Sequence, residues 1–222
     1  KIAKFLPRNK GFIAFLLCMI VFRSAVADWN VVPTGSMQPT IEIGDRILVD
    51  RMAYDIRLPL TRISLLHLAD PQRGDIVVLD SQAAHERLVK RVIGLPGDLV
   101  AMRGNVLFIN GRAASYSMTD RSGIRDDRQD PAHYEIERYG RMRHAIRLSV
   151  NRPSPASNFG PITVPRGQYL LLGDDRDNSM DSRYLGFFPR SEILGRSRYV
   201  VASLDPSNDY LPRRQRFGTP LD

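Results

Sequence analysis

Cysteine is almost absent from this chain of 222 residues, and its single thiol, Cys18, lies inside a run of apolar residues. An intrachain disulfide is therefore impossible, and cysteine usage indicates no redox compartment. The four histidines, His67, His85, His133 and His144, are scattered, so no cysteine–histidine cluster has the spacing of a zinc site. The G-x-S-x-G pattern is also missing, which together with the scattered histidines argues against a Ser-His-Asp triad.

Lysine is scarce as well. Only four of the 32 basic residues are lysines, and Lys90 is the only one beyond the first ten positions. Arginine stays protonated in proteins, whereas burial can make a lysine neutral, so the retention of Lys90 suggests an amine that has to lose its proton. A high-GC genome would produce the same bias by chance, and composition alone does not separate the two interpretations.

Acidic residues are missing from residues 1–27, which hold five of the eight net positive charges. The remainder is only weakly basic and has no run of Lys and Arg. This distribution is unlike that of a nucleic-acid groove, so no nucleic-acid partner is predicted.

The N-terminus combines basic residues 1–10 with the uninterrupted apolar run Gly11–Phe22. One interpretation is a cleavable signal peptide with a small-residue site at residues 25–27. The other is a membrane anchor formed by a helix over residues of about 9–28, with Arg23 and Trp29 near its outer boundary. In both cases the positive charges keep the N-terminus cytoplasmic and place the following residues outside.

Short β-branched segments between turn residues predict a mainly β fold with antiparallel strands. Met52–Leu68 is apolar and irregular and fits either a short helix or a loop that contacts lipid. The arginine-rich tail from Asp205 is expected to be extended. Strands are predicted near residues 45–51, 76–79, 87–93, 105–112, 168–172 and 198–202, the last of these being the final strand.

Composition changes between residues 113 and 165, which are polar and rich in arginine. Residues 134–138 and 144–150 alternate within this section and predict a hairpin that turns near Tyr139-Gly140. We interpret residues 113–165 as an inserted small β subdomain, a cap on the main domain.

Two residues, Ser36 and Lys90, are candidates for a catalytic role. Ser36 lies in the loop V-V-P-T-G-S-M-Q-P-T at residues 31–40, where proline and glycine hold a serine on a stiff turn, although most serines in such turns only bond their own backbone. Lys90 lies on a predicted strand and shares a face with Leu88 and Val92, an apolar setting that would lower its pKa.

An acid-rich run, Asp175-x-Asp177-x-Ser179-x-Asp181, has the spacing of a calcium loop. Met180 stands where that loop needs glycine, and Gly186 stands where it needs a bidentate glutamate. No calcium site is therefore expected.

Three blocks resemble the bacterial type I signal peptidases, also called leader peptidases, which are serine–lysine peptidases. They are P-T-G-S-M-Q-P-T at residues 33–40 with G-D-R-I-L-V at 44–49, K-R-V-I-G-L-P-G-D at 90–98, and G-D-D-R-D-N-S-M-D-S-R-Y-L-G at 173–186. Their order matches the family, and the similarity extends from the apolar run nearly to the C-terminus.

The resemblance implies a role for six residues. Ser36 would be the nucleophile and Lys90 the general base. The Thr34 hydroxyl and the Ser36 amide would form the oxyanion hole, and Ser179 would orient the lysine amine. Asp181 and Arg183 would pair as structural support. No cofactor and no metal are implied.

The family also implies the setting. The apolar run would be a retained single-pass anchor in the bacterial inner membrane, with the catalytic domain on the periplasmic or outer face. The expected partners are preprotein signal peptides with small residues at the −1 and −3 positions, the lipid bilayer and possible contacts with the secretion machinery. The expected parts are a cytoplasmic N-terminus (1–10), the anchor (11–28), a catalytic domain in two parts (29–112 and 166–222) and the cap (113–165).

Three other functions share features with this sequence. Self-cleaving repressors of the SOS type cut an Ala-Gly bond, which this chain lacks. A conjugative-transfer peptidase with one dedicated substrate shares the serine–lysine pair and stays an alternative. A non-enzymatic anchored periplasmic scaffold, in which Lys90 and Asp181 are only ion-pair partners, is the other.

Overall fold

A computed structural model describes residues 9–119 and 130–221 of the chain. Within these ranges the helices are α1 (Lys10–Ala25) and α2 (Ser182–Leu185), and short 3-10 turns occur at Pro155–Ser157, Arg190–Glu192 and Arg214–Arg216. The strands, in chain order, are β1 (Ala27–Val31), β2 (Asp45–Asp50), β3 (Asp55–Arg57), β4 (Ser64–His67), β5 (Ile76–Ser81), β6 (Glu86–Gly94), β7 (Leu99–Arg103), β8 (Val106–Ile109), β9 (Arg112–Ala113), β10 (Ser115–Met118), β11 (Ala132–Tyr139), β12 (Met142–Ser149), β13 (Phe159–Thr163), β14 (Gln168–Leu172), β15 (Phe188–Pro189), β16 (Ile193–Asp205) and β17 (Leu211–Pro212). The predicted mainly β class is confirmed.

The main sheet has the strand order β1-β2-β16-β5-β6-β14-β15, and β17 pairs with the C-terminal end of β16. Neighbouring strands are antiparallel throughout. Alternation along β2 buries Ile47 and Val49 in the core, as expected for a strand with one buried face. β6 lies between β5 and β14, with Lys90 directly opposite Val77.

Two smaller sheets have the orders β13-β7-β8-β9 and β10-β11-β12. The predicted hairpin near Tyr139-Gly140 is confirmed as β11 and β12. The domain division stays a prediction. β13, which lies in the predicted cap, pairs with β7, which lies in the first part of the predicted catalytic domain. One apolar cluster, which includes Ile93 and Leu170 of the main sheet and Met102 and Met142 of the smaller sheets, joins the sheets.

The bounds of the predicted transmembrane helix, residues 11–28, are corrected by the structure. Helix α1 ends at Ala25, because residues 27–31 pair with β2 as an edge strand of the main sheet. None of the residues of α1 is buried. Among the residues that the structure describes, no helix has both the length and the apolar character needed to cross a bilayer.

The strands predicted near residues 45–51, 76–79, 87–93 and 168–172 are confirmed. The segment 105–112 contains β8 and the start of β9, joined at Asn110-Gly111, where both residues have positive φ, 51° and 79°. Met52–Leu68 is neither a helix nor an irregular loop. It contains β3 and β4, which pair as a hairpin whose Leu65 and Leu66 side chains are exposed.

The strand predicted at residues 198–202 is confirmed as part of β16, but it is not the last strand, and the prediction of an extended tail was wrong. β17 follows β16, and the tail then packs onto the loop before β2. Arg213 donates to Glu42 at 2.7 Å, and Arg216 forms an ion pair with Asp45 at 2.5 Å. Glu42 and Asp45 are buried carboxylates, and a buried charge has to be paired to be stable. These two acids therefore draw the arginine-rich tail back onto the sheet.

We expect Arg213→Met to lower the free energy of unfolding by about 3 kcal/mol, because it leaves the Glu42 charge buried with one counter-ion fewer. Urea denaturation measures the difference. Arg214→Met is the matched control, since Arg214 is exposed, and it should change stability by less than about 0.5 kcal/mol. Equal effects of the two substitutions would contradict the structural role of the tail.

Candidate active site

The loop between β1 and β2 carries Ser36. Backbone hydrogen bonds close its base, from the Val32 amide to the Asp45 carbonyl at 2.8 Å and from the Gly44 amide to the Val32 carbonyl at 2.9 Å. Met37, the residue after the serine, is buried in the core. Hydrogen bonds therefore fix the base of the loop, and the buried Met37 side chain fixes the position next to the serine.

Lys90 meets this serine from β6. Its Nζ lies 2.7 Å from Ser36 Oγ, within hydrogen-bond distance, and the lysine is only 2% exposed. Leu88 and Val92, which share its face of the strand, are buried too. Burial lowers the pKa of Lys90 to about 8.

A buried ion pair lies beside the lysine. Arg183 donates from Nε and Nη2 to the two carboxylate oxygens of Asp181, each at 2.8 Å, and both side chains are fully buried. After burial, the negative charge of Asp181 raises the pKa of Lys90, while the positive charge of Arg183 lowers it. Because the two effects oppose each other, the Asp181 carboxylate stabilises the charged form of Lys90 less than it would without Arg183.

Glycine at position 173 lets the third block approach the serine. A Cβ there would lie 2.6 Å from the Cβ of Ser179 and would also press against the Ser36 carbonyl oxygen. That carbonyl accepts a hydrogen bond from the Asp175 amide at 3.1 Å. Only a residue without a side chain fits between these neighbours.

Ser179 is buried near the pair. Burial raises the pKa of the Asp181 carboxyl, but the hydrogen bonds and charge of Arg183, together with the Gly173 amide, hold it below its usual range. Ser179 Oγ forms no hydrogen bond that meets normal geometric limits within the described residues. The predicted hydrogen bond from Ser179 to the Lys90 amine is thus not formed here, and the orienting role of Ser179 stays a prediction.

A cleft of about 250 Å³ opens over the serine and the lysine. Thr34 is exposed and lines it from the Ser36 loop. Asn178 and Met180 of the third block also line the cleft and were not predicted from the sequence. The available signal was their position on either side of Ser179, which the family resemblance places at the site.

One edge of β6 is open beside this cleft. β5 pairs with β6 along residues 86–91, but on the other side β14 pairs only with residues 91–94. Among the described strands, none therefore covers the second edge of Glu86–Lys90, and these residues line the cleft. An extended peptide can add to such an edge by main-chain hydrogen bonds.

A buried network that the sequence analysis missed ties the three blocks together. Arg91 donates to both oxygens of Asp174, at 2.9 and 2.8 Å, and Thr40 of the Ser36 loop donates to the same carboxylate at 2.5 Å. Arg91 points away from Lys90 because neighbouring residues of a strand face opposite sides. The signal was an arginine in an apolar strand, which needs a carboxylate partner if it is buried.

A second buried pair links the third block to the sheet β10-β11-β12. Arg176 donates to both oxygens of Glu137, at 2.8 and 2.6 Å, and both side chains are fully buried. His144 lies between Glu137 and Asp174, at 3.5 and 3.6 Å, and burial lowers its pKa to about 4. The smaller sheet therefore contributes polar groups that hold the segment behind the serine.

The acid-rich run does not converge on one point. Asp175 lies 3.6 Å from Arg147, and Asp181 pairs with Arg183. Asp177 accepts hydrogen bonds from the amides of Ser149 and Ser154 at 2.9 and 2.7 Å. No group of three or more candidate metal ligands occurs in the described part of the chain.

Comparisons with known proteins bear on this site. Residues 8–202 match the family described as "Signal peptidase, peptidase S26". The chain is 35% identical to proteins named "Signal peptidase I" from Pseudomonas fluorescens and Pseudomonas aeruginosa, in each case over 95% of this chain and 77% of the relative. It is 29% identical to "Signal peptidase I P" of Bacillus subtilis subsp. natto, over 88% of both chains. A crystal structure of a signal peptidase I from Enterococcus faecalis covers 58% of this chain and 97% of its own, at 30% identity, but a TM-score of 0.36 is too low to support conclusions about the fold.

These matches define the class of protein as a serine endopeptidase. The chain belongs to the signal peptidase family, peptidase S26. Removal of signal peptides is the activity of that family, and the predicted resemblance is confirmed.

The lowered pKa predicts how stability depends on pH. The pKa of Lys90 is about 8 in the folded protein and about 10.4 in an unfolded chain. Between these values the folded state binds fewer protons, so the contribution of Lys90 to stability should rise with pH from 8 to 10.4, by about 3 kcal/mol in total.

Lys90→Met removes this titration. We expect the variant to be more stable than the wild type below pH 8 and the difference to shrink as pH approaches 10.4, measured by urea denaturation at each pH. Lys10→Met, at an exposed position on α1, is the control and should show no such trend. A constant difference between wild type and Lys90→Met would contradict the buried neutral amine.

Proposed function

We propose that the chain removes signal peptides from exported preproteins with Ser36 as nucleophile and neutral Lys90 as general base. The observation that carries this proposal is the 2.7 Å contact between Nζ and Oγ, made where the lysine is 2% exposed. Geometry and burial here support the same assignment as the family resemblance.

The pKa decides whether lysine can act as a base. An unperturbed lysine is neutral in only roughly 0.04% of molecules at pH 7, whereas a pKa of about 8 makes roughly 10% neutral. The neutral amine accepts the proton of Ser36 while the serine oxygen attacks the peptide carbonyl. No other side chain is placed at hydrogen-bond distance from Ser36 Oγ within the described residues.

Completion of the reaction needs an oxyanion hole and an acid. The backbone N–H of Ser36 and the hydroxyl of Thr34 would donate to the carbonyl oxygen as it becomes negative. The ammonium of Lys90 then gives its proton to the leaving amine, which breaks the peptide bond. Water, deprotonated by Lys90, hydrolyses the ester on Ser36 and restores the free serine.

Asp181 and Arg183 have an electrostatic role in this proposal. Their charges act on Lys90 in opposite directions, so the pair supports the third block without forcing the amine into its charged form. Ser179, buried next to them, would orient the amine when substrate is bound.

The open edge of β6 is the proposed substrate site. A signal peptide would lie extended along Glu86–Lys90, with its scissile carbonyl at Ser36, and side chains near the cut would enter a cleft of about 250 Å³. The cleft is small, which fits small residues at the −1 and −3 positions.

We further propose that the N-terminal segment, of which α1 is the described part, attaches the protein to the bacterial inner membrane, with the basic N-terminus cytoplasmic and the catalytic domain on the outer face. Support comes from α1 itself, whose apolar side chains are exposed all round and bury nothing. At its end, Arg23 pairs with Asp28 at 2.6 Å and stacks over Trp29 at 4.2 Å, which fixes the helix to the start of β1.

Substitution of the base tests the proposal. We expect Ser36→Ala, Lys90→Met and Lys90→Arg each to abolish cleavage of an Ala-x-Ala preprotein in detergent, because arginine keeps the charge but cannot accept a proton. Cleavage is followed by gel shift, and circular dichroism verifies folding. Lys10→Arg is the matched control and should cleave normally. Full cleavage by Lys90→Met, or turnover by Lys90→Arg, would rule the mechanism out.

The pH profile tests the electrostatics. We expect kcat/KM to rise with pH along a limb with an apparent pKa of about 8, because the neutral form of Lys90 is the active one. Arg183→Met removes a charge that lowers this pKa, so its limb should move to higher pH.

The double variant Asp181→Asn/Arg183→Met controls for an unpaired buried charge. It removes both opposing charges, and its limb should return to the wild-type position or below it. A limb that stays fixed in Arg183→Met, in an enzyme that remains folded, would exclude the proposed role of Arg183.

A further inference from the structure

A cavity separate from the catalytic cleft lies between the main sheet and the β11–β12 turn and has a volume of about 410 Å³. Gly74, Ile76 and Met142 form part of its wall. Arginine dominates the remainder, and six arginines line the cavity: Arg73, Arg91, Arg141, Arg143, Arg196 and Arg198.

Three of these arginines already have a carboxylate partner. Arg73 pairs with Asp98 at 2.8 Å and Arg91 with Asp174 at 2.8 Å. Arg196 pairs more loosely, at 3.4 Å, with Asp75, the one acid in the cavity wall. Their positive charges are therefore largely neutralised inside the protein.

The other three are not neutralised. The side chains of Arg141, Arg143 and Arg198 are exposed and form no hydrogen bond or ion pair within residues 9–119 and 130–221. Arg143 is also directly opposite Arg138 across β11 and β12, and like charges in that position are unfavourable. The cavity thus collects three positive charges that the described protein does not balance.

Two buried donors in the same wall also lack partners. Ser197 is 3% exposed, and its Oγ has no hydrogen-bond partner among the described residues; Arg196 Nε is likewise without one. Buried polar groups are normally satisfied, so the wall of the cavity contains two polar atoms that the described residues leave unpaired.

From these contacts we propose that the cavity is a binding site for a phosphoryl anion, either a free phosphate group or the phosphate of a lipid headgroup. Guanidinium groups match phosphate oxygens with paired hydrogen bonds. A phosphomonoester, with about −1.5 to −2 charges at pH 7, balances more of the three guanidinium charges than a carboxylate does, and the phosphodiester of a lipid headgroup presents two oxygens that share one negative charge. The volume of about 410 Å³ accommodates a phosphate group with several waters.

This site is distinct from the proposed catalytic one. Lys90 and Arg91 are neighbours on β6, but Lys90 lines the catalytic cleft and Arg91 lines the arginine cavity. The strand separates the two, because successive side chains face opposite sides. Loss of anion binding should therefore leave cleavage of an Ala-x-Ala preprotein in detergent unchanged.

The test uses the full chain in detergent and the variant Arg141→Gln/Arg143→Gln. The matched control is Arg112→Gln/Arg166→Gln, which removes the same charge from two exposed arginines outside the cavity. Calorimetry measures binding of inorganic phosphate at constant ionic strength. Co-flotation measures binding to vesicles of phosphatidylglycerol in phosphatidylcholine, with pure phosphatidylcholine vesicles as reference.

We expect saturable binding that the cavity variant weakens by at least about tenfold and that the control leaves within about twofold. If this pattern is seen with inorganic phosphate, the ligand is a free phosphate group. If it is seen only with phosphatidylglycerol vesicles, the ligand is a lipid headgroup. Absence of both, or equal weakening in the two double variants, would overturn the proposal and leave only a generally basic surface.

Discussion

The proposed active site depends on one contact, between a buried amine and a hydroxyl. Lys90 Nζ and Ser36 Oγ are 2.7 Å apart, although 54 residues separate them in the chain. Burial makes this contact useful for chemistry, because an exposed lysine would stay protonated and could not accept the serine proton. The apolar neighbours of β6 and the fixed loop between β1 and β2 are both needed to maintain it.

Buried ion pairs give the contact its rigidity. Arg91 with Asp174 ties β6 to the third block, and Thr40 joins the same carboxylate from the serine loop. Arg176 with Glu137 extends the network to the smaller sheet β10-β11-β12. Pairs of this kind cost desolvation energy, but removal of one partner is strongly destabilising, so they fix the geometry of the site.

Local patterns in the sequence predicted much of the fold and the pair at the centre of the site. Alternation predicted β2 and the hairpin of β11 and β12, short apolar segments predicted β5, β6 and β14, and the family blocks placed Ser36 and Lys90 together. Contacts between distant residues were missed. The tail folds back because Arg213 and Arg216 meet buried acids more than 160 residues away, as in the contact of Arg213 with Glu42 at a separation of 171. The end of α1 was missed for a similar reason, since pairing with β2, not local hydrophobicity, decides where the helix stops.

The most direct test is the pKa of the Lys90 amine, measured by NMR of protein labelled with ¹⁵N-lysine. The chain has only four lysines, so the Nζ signals are few, and Lys90→Met assigns the relevant one. We expect this signal to titrate near pH 8, because burial disfavours the charged amine. A titration near 10.4, the value of a lysine in an unfolded chain, would contradict the buried neutral amine.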